Sequence, residues 1–221
     1  MNRFYSLIPV LLLLISPMAH AQTIHLFNGK NLDDWYAWQQ TSGKHDNAAD
    51  IFSVEDHMIR LYGPRAGYLM SKRSFHNFKL TVEYRWNTDT TFDRKNNHIN
   101  SGIMYLVPAA TPDTLWPKGI QFQVKKDATG DFIFLRGTTL KIKGKRTTPG
   151  RSVISTRFQD AAHPIGEWDT VTITYRDNKI TQQLNGKLVN EGTDPSVTSG
   201  RIMLMYEGFP IDFRKVELKK L

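Results

Sequence analysis

Apolar side chains recur at every second position in several separate stretches of this chain. The clearest stretches cover residues 78–86, 120–124, 171–175 and 202–206. A period of two residues is that of a β-strand with one face in a core and the other toward water or a ligand. No stretch longer than about ten residues has helical periodicity. The sequence therefore predicts an all-β protein.

Turn signals separate these stretches. Asn185-Gly186 lies between two strand-like segments and has the composition of a type I′ hairpin turn, and Asp177-Asn178 predicts a turn just before it. Near the end of the chain the apolar parity changes between residues 211–213 and 216–218. One extra residue near Arg214-Lys215 would let the apolar side chains of both segments point into the core, so we expect a β-bulge there.

The chain has no visible repeat and no low-complexity linker after its first residues. Residues 22–221 are enough for one sandwich or barrel domain. Residues 88–97 are polar and charged, and residues 109–118 include two prolines. We expect both segments to be loops at one end of a sheet, where binding sites are often built.

The first 21 residues have the order of a secretory signal peptide. Arg3 precedes an apolar run, and the segment ends at Ala19-His20-Ala21. That run is about half of the roughly 20 residues that span a bilayer, so we expect cleavage after Ala21 and no stable membrane insertion afterwards. The chain contains no cysteine, which excludes a lipid-modified cysteine, disulfides and thiolate metal sites. We expect a periplasmic or secreted protein.

The formal net charge is +8 at pH 7. Export and the absence of a recognition motif argue against nucleic acid as a partner. A solvated basic face explains most of this charge, and an anionic glycan or envelope surface is the alternative.

Several short motifs are spread over nearly the whole chain after residue 21. The motifs are Leu26-Phe27-Asn28-Gly29-Lys30-Asn31-Leu32, Phe52-Ser53-Val54-Glu55-Asp56, Gly67-Tyr68-Leu69, Asn100-Ser101-Gly102-Ile103, Gly166-Glu167-Trp168, Leu184-Asn185-Gly186 and Glu207-Gly208-Phe209-Pro210-Ile211-Asp212-Phe213-Arg214. In this order and spacing they resemble the 3-keto-disaccharide hydrolase domain family. The resemblance implies a two-sheet antiparallel concanavalin A-like sandwich of jelly-roll type, with the site on a concave sheet.

The resemblance also implies a carbohydrate substrate, a glycoside or disaccharide with a ketone at sugar carbon 3. That ketone acidifies the hydrogen on carbon 2. A base can remove this hydrogen, an electrophile can hold the enolate, and the substituent on carbon 1 then leaves. Water can add back afterwards, so the activity would be that of a lyase or a hydrolase. A divalent metal is a possible electrophile, although no ligand set is identified.

Four residues are candidates for catalysis. Glu83 and Arg85 share the polar face of the 78–86 stretch, which we expect in the concave sheet, with Glu83 as base or metal ligand and Arg85 stabilising an enolate oxygen. An ordinary cross-strand ion pair is the alternative. Glu207 ends another strand on its polar side, and His98 lies beside the Asn100 motif. A solvated side chain is the alternative for both, and it is the usual state of a lone loop histidine such as His98.

Five residues are candidates for substrate binding. Gln121 and Gln123 share one strand face where the resembled family usually has Glu-x-Gln. An amide is not a general base at neutral pH, so these residues suit hydrogen bonding to sugar. Asn100 lies in a family motif, and Tyr68 and Trp116 are aromatic residues near expected loops that suit stacking on a sugar ring.

Two other functions stay open. A non-catalytic carbohydrate-binding sandwich fits the same fold, and Gln121 favours it. A conventional glycosidase of this fold needs two carboxylates at alternate positions of one strand, where this chain has Gln121-Phe122-Gln123.

Overall fold

The computed structural model describes residues 22–221. The predicted signal peptide, residues 1–21, lies outside them. Nearly all regular structure within residues 22–221 is β-strand, and one short 3₁₀ helix there covers Ala48–Asp50. Among the described residues no helix is long and apolar enough to cross a membrane. The expectation of an all-β protein is confirmed.

The strands, numbered along the chain, form two sheets. In spatial order the 10-stranded sheet consists of β12 (Lys145–Arg146), β11 (Lys141–Ile142), β16 (Lys187–Thr193), β15 (Lys179–Leu184), β14 (Asp169–Arg176), β7 (Phe78–Trp86), β18 (Ile211–Lys220), β5 (Met58–Leu61) and β4 (Ser53–Glu55), with β1 (Thr23–His25) also paired to β18. The 8-stranded sheet consists of β13 (Ser152–Ser155), β10 (Phe132–Leu135), β9 (Gly119–Lys125), β8 (Asn100–Val107), β17 (Arg201–Tyr206), β6 (Gly67–Ser71), β2 (Trp35–Gln39) and β3 (Gly43–His45).

The two sheets pack face to face as an antiparallel sandwich. The alternating apolar residues of β7 and β14 point inward and meet those of β9 and β17 in one core. Phe78, Leu80 and Val82 from one sheet and Phe122 from the other are completely buried. Each strand therefore has one face fixed in the core, and its other side chains lie on an outer face.

The predicted local features are present. Asn185 and Gly186 have φ values of 50° and 78°, as a type I′ turn requires. The pairing of β18 with β7 shifts register between Phe213 and Lys215, which is the expected bulge. No strand covers residues 88–97 or 109–118.

Candidate functional site

One cross-strand row of side chains organises the outer face of the 8-stranded sheet. In order across the strands the row is Tyr36, Met70, Met203, Met104, Gln121, Ile133 and Ile154. Its first six members are buried, whereas Ile154 at the far end is 62% exposed. The row is therefore covered at the Tyr36 end and open at the Ile154 end.

The loop between β8 and β9, residues 108–118, covers the Tyr36 end of the row. Asp113 Oδ1 accepts hydrogen bonds of 2.7 Å from both Tyr36 Oη and Tyr68 Oη. Arg201 donates to Tyr36 Oη at 2.9 Å and also contacts the carbonyl oxygen of Pro108. These bonds hold loop 108–118 over the three methionines of the row.

The open end contains a cleft of about 310 Å³, which we call the amide cleft. Its lining residues are Asn100, Trp116, Gln121, Gln123, Ile133, Leu135, Arg136, Arg151, Ser152, Ile154 and Glu207. The cleft combines an apolar floor, two amides, one carboxylate and a partly exposed indole. Apolar surface with a few convergent polar groups is the usual composition of a small-molecule site.

Gln121 is fixed at the bottom of the amide cleft. Its side chain is 3% exposed, and its Nε2 donates a 2.5 Å hydrogen bond to Gln123 Oε1. On the neighbouring strand stands Gly102, where a Cβ would come within 2.5 Å of Gln121 Cδ. The absence of a side chain at residue 102 is what allows Gln121 to lie flat across β8.

Glu207 follows β17 and supplies the carboxylate of the cleft. Trp116 Nε1 donates to its Oε1 at 3.3 Å, and Asn100 Nδ2 donates to its Oε2 at 2.5 Å. Burial raises the pKa of Glu207 above its ordinary value, although these two hydrogen bonds and the charges of Lys95 and Lys125 oppose the rise. A carboxyl group with a raised pKa in a cleft is suited to acid–base chemistry.

A second cavity lies on the other side of Glu207 and Asn100, which border both spaces. We call it the lysine cavity; it measures about 550 Å³. Its lining residues are Lys95, Asn96, Asn97, His98, Ile99, Asn100, Lys125, Lys126 and Glu207. Glu207 is its only acidic lining residue.

The structure brings together most of the residues proposed from the sequence. Asn100, Trp116, Gln121, Gln123 and Glu207 all line the amide cleft. His98 is exposed and lines the lysine cavity instead. Its backbone N–H donates to Asn96 Oδ1 at 2.8 Å.

Glu83 and Arg85 do not line the amide cleft. Both belong to β7 in the 10-stranded sheet, on the face opposite the core and away from the amide cleft. Arg214 Nε donates to Glu83 Oε2 at 2.6 Å, and Arg85 Nε donates to the buried Asp212 at 3.0 Å. Cross-strand ion pairing, the alternative noted from the sequence, is what the structure contains.

Tyr68 is also not placed to stack on a ligand. It is completely buried, and its ring stacks against Trp38 with the centroids 5.3 Å apart. Its hydroxyl is bound by Asp113. Because loop 108–118 covers it, Tyr68 supports the wall of the site and does not face the open cleft.

Five basic residues of the two cavities were not proposed from the sequence: Lys95, Lys125, Lys126, Arg136 and Arg151. Lys125 shares the strand parity of Gln121 and Gln123, and it pairs in register with Asn100. The alternation along this strand could therefore have identified Lys125 from the sequence. Arg136 and Arg151 come from loops beside β10 and β13, and their approach to the cleft depends on tertiary structure.

The donors of the site do not fit a tightly held divalent metal. No group of three or more His, Asp or Glu residues suited to a metal ion occurs within residues 22–221. At the amide cleft the set is one carboxylate with neutral amides, whereas sites that hold a divalent ion tightly normally include several carboxylates. The chemistry considered below uses the protein's own side chains.

Comparison with protein-family models gives one match over nearly all the described residues. The model described as the 3-keto-alpha-glucoside-1,2-lyase-like domain matches residues 22–219. No curated protein matches the chain significantly.

Solved structures with low sequence identity have the same fold. A protein from Parabacteroides distasonis, provisionally described as a glycosyl hydrolase, is 18% identical with a TM-score of 0.64, over 90% of this chain and 94% of that chain. The Bacillus licheniformis beta-glucanase is 15% identical with a TM-score of 0.56, over 92% and 99%. The carbohydrate-binding module CBM66 from Bacillus subtilis is 12% identical with a TM-score of 0.53, over 86% and 98%.

Proposed function

The chain belongs to the 3-keto-alpha-glucoside-1,2-lyase-like domain family, and from this premise we propose that it cleaves glycosides whose sugar carries a ketone at carbon 3. The reaction is an elimination, followed by hydration if the protein acts as a hydrolase. The substrate sugar binds in the amide cleft.

The observation that carries this proposal is the setting of Glu207. Its carboxyl group lies in the cleft, two neighbouring side chains hold it by hydrogen bonds, and burial raises its pKa. A base with a raised pKa is a better proton acceptor than a solvated carboxylate. Glu207 therefore suits removal of the carbon 2 proton, which the adjacent ketone has acidified.

The proposed elimination proceeds through an enolate. Glu207 takes the proton from carbon 2, and the electrons of the C–H bond form an enolate with charge on the carbon 3 oxygen. The enolate collapses to a double bond between carbons 1 and 2, which breaks the bond from carbon 1 to the glycosidic oxygen. The departing oxygen takes a proton back from Glu207. Water adding across the new double bond completes hydrolysis.

Positive charge near the enolate oxygen would lower the barrier. Arg136 and Arg151 line the amide cleft. Arg136 donates to the carbonyl oxygen of Trp116 and, at 3.2 Å, to Thr114 Oγ1, which holds its guanidinium beside loop 108–118. These arginines take the role that the sequence assigned to Arg85.

The rest of the amide cleft suits a sugar. Trp116 is 39% exposed and Ile154 is 62% exposed, so both offer apolar surface to a sugar ring. Gln121 and Gln123 supply amide donors and acceptors for hydroxyl groups. Asn100 Oδ1 is buried without a hydrogen-bond partner in the described part of the chain, and a hydroxyl group of the ligand would satisfy it.

A second candidate is a carbohydrate-binding domain without catalysis. The pair Gln121–Gln123 favours it because neither amide acts as a base. The similarity to CBM66, a module that its name describes as carbohydrate-binding, is consistent with this alternative. Glu207 favours catalysis over binding alone, since burying a carboxylate costs free energy that binding of a neutral sugar does not require.

The proposal includes the location expected from the sequence. A signal peptide ending at Ala21 would deliver the protein to the periplasm or the medium, where sugars oxidised outside the cytoplasm would be its substrates.

The test compares 3-keto glycosides with their unoxidised parents, using the protein that begins at Gln22. We expect product only from the ketones, identified by mass spectrometry as the unsaturated ketone or the free keto sugar. If the ketones bind without turnover, the binding domain is the correct function. If the parent glycosides are cleaved equally well, the elimination is wrong, because an unoxidised sugar has no acidified proton on carbon 2.

A further inference from the structure

Apart from the charges that Lys95 and Lys125 place near Glu207, the lysine cavity takes no part in the proposed elimination. We propose that it is a subsite for an anionic group on the part of the substrate that leaves from carbon 1. The group is a carboxylate, sulfate or phosphate. This inference rests on the proposed function for the position of the sugar.

The position of the lysine cavity indicates which part of the substrate it holds. Glu207 and Asn100 border both it and the amide cleft. When the sugar occupies the amide cleft with its carbon 2 at Glu207, the neighbouring carbon 1 lies at the boundary between the two spaces. A substituent on carbon 1 can then extend past Glu207 into the lysine cavity.

The charge of the lysine cavity indicates what it recognises. Lys95, Lys125 and Lys126 line it, and none of the three forms an ion pair with a carboxylate of residues 22–221, although other lysines of the protein do. Lys95 and Lys125 are close enough to lower the pKa of Glu207 by their charge. Three unpaired ammonium groups around one cavity favour an anionic ligand.

The wall that carries Lys95 is held in place before any ligand arrives. Lys95 N and Asn96 N donate to Gly208 O at 2.9 and 3.2 Å, and Asn96 Nδ2 donates to Glu207 O at 3.2 Å. A Cβ at residue 208 would come within 2.7 Å of Asn96 Nδ2, and Gly208 has a φ of 124°. The Glu207-Gly208 sequence therefore fixes both the carboxylate and the lysine-bearing loop.

The opposite wall is equally ordered. Lys125 ends β9 and pairs in register with Asn100, and Lys126 N donates to Ile99 O at 3.1 Å. Both lysines are thus anchored through their backbones beside the residue that binds Glu207. The site needs no rearrangement of the main chain to present its charges, which reduces the cost of binding.

The experiment uses matched pairs of 3-keto glucosides, phenyl and 4-carboxyphenyl, in both anomers. We expect the carboxylate to raise kcat/KM by about two- to fivefold over the neutral compound, as for one exposed ion pair. The ratio of the two values should fall toward one in Lys125→Gln and Lys126→Gln, and it should also fall as salt is raised. Lys187→Gln, an exposed lysine of the other sheet, is the control and should keep the ratio.

Binding of the unoxidised phenyl and 4-carboxyphenyl glucosides, measured by calorimetry, separates this inference from the proposed function. Turnover of both ketones with equal kcat/KM, together with equal binding of both parent compounds, overturns the subsite and leaves the function standing. No turnover, with tighter carboxylate binding that the Lys125 and Lys126 variants lose, overturns the function and supports the subsite. If Lys187→Gln abolishes the preference for the carboxylated glucoside as fully as Lys125→Gln and Lys126→Gln do, the preference is an effect of net charge. That result overturns the subsite.

Discussion

The Gln121 side chain occupies the space where residue 102 would otherwise carry a Cβ, which would approach Gln121 Cδ to 2.5 Å. Gly102 and Gln121 lie on neighbouring strands, so the identity of one residue sets the conformation of the other. The hydrogen bond from Gln121 Nε2 to Gln123 Oε1 depends on this arrangement.

Gly102→Ala should therefore lower the free energy of unfolding by about 1–3 kcal/mol, the usual cost of overpacking. It should also weaken sugar binding, because Gln121 would be displaced from the floor of the cleft. Denaturant unfolding and calorimetry measure the two effects. In a Gln121→Ala background Gly102→Ala should lower the free energy of unfolding much less, because the side chain that its Cβ would contact has been removed. Equal costs in both backgrounds would contradict this account of the cleft floor.

Glu207→Gln should reduce kcat on a 3-keto glycoside by about 100-fold or more, the usual contribution of a positioned base. Glu83→Gln is the matched control. It makes the same chemical change on the outer face of the other sheet, where Glu83 pairs with Arg214, and it should leave kcat unchanged. Thermal unfolding should detect only small changes in either variant. Full activity of Glu207→Gln would move the base elsewhere.

The pH dependence of activity follows from the raised pKa of Glu207. As a base Glu207 must be ionised, so kcat/KM should rise with pH through this raised pKa. Lys125→Gln removes a charge that lowers the pKa, so it should move this rise to higher pH. If the rise of kcat/KM occurs at the same pH in Lys125→Gln as in the unmodified protein, a group other than Glu207 controls the rate.

The same pKa predicts a change in stability. The folded pKa lies above the ordinary value of 4.5, so the folded state holds its proton more tightly than the unfolded state. This contribution to the free energy of unfolding is complete below pH 4.5 and is lost as pH rises through the folded pKa. The Tm of Glu207→Gln should fall less than that of the unmodified protein over this range. Parallel curves of Tm against pH for the two proteins would contradict a raised pKa at Glu207.

Asp113→Ala should release loop 108–118, because Asp113 Oδ1 accepts hydrogen bonds from both Tyr36 and Tyr68. We expect faster tryptic cleavage at Lys118 and faster peroxide oxidation of Met104 and the neighbouring methionines, both measured by peptide mass mapping.

Asp33→Ala is the control for the Asp113 variant. Asp33 is exposed, and its carboxylate makes no hydrogen bond within the described residues. Unchanged proteolysis and oxidation in Asp113→Ala would mean that the loop is held by other contacts.

The mature chain should begin at Gln22. Expression of the full sequence in a Gram-negative host, followed by intact mass measurement of the periplasmic fraction, checks this expectation. Ala21→Leu should impair cleavage, because the processing site needs small residues. Recovery of the unmodified protein with Met1 still attached would contradict export by this route.

Local structure was largely predictable from the sequence. Alternation identified β7, β9, β14 and β17 because a strand with one face in a core must alternate. The bulge in β18 followed from the same rule, since a change of parity without an extra residue would turn apolar side chains outward.

The assignment of a strand to one sheet or the other was not predictable in this way. Glu83 and Gln121 both lie on the polar parity of their strands, and parity gives only the direction of a side chain relative to the core. In a sandwich the outward directions of the two sheets are opposite, so these residues lie on opposite surfaces. Pairing partners far along the chain decide the sheet, and the sequence does not display them locally.

Coverage by a distant loop also escaped prediction. Tyr68 has the composition of a sugar-binding aromatic residue, yet Asp113, 45 residues later, binds its hydroxyl and buries the ring. Trp116 in the same loop remains partly exposed. Asp113 and Trp116 lie in the same loop, yet one binds a buried tyrosine and the other remains partly exposed. Only the tertiary contacts of the loop distinguish these two roles.

The shared acceptor Asp113 also affects how much of this surface is open to solvent. The row of side chains from Tyr36 to Ile154 crosses seven strands, and loop 108–118 closes it at Met104. A shorter loop on the same scaffold would turn this closed end into a longitudinal groove, with room for several sugar units of a polysaccharide. The length of the β8–β9 connection therefore determines how much of this row is open to solvent, with no change in the strands beneath it.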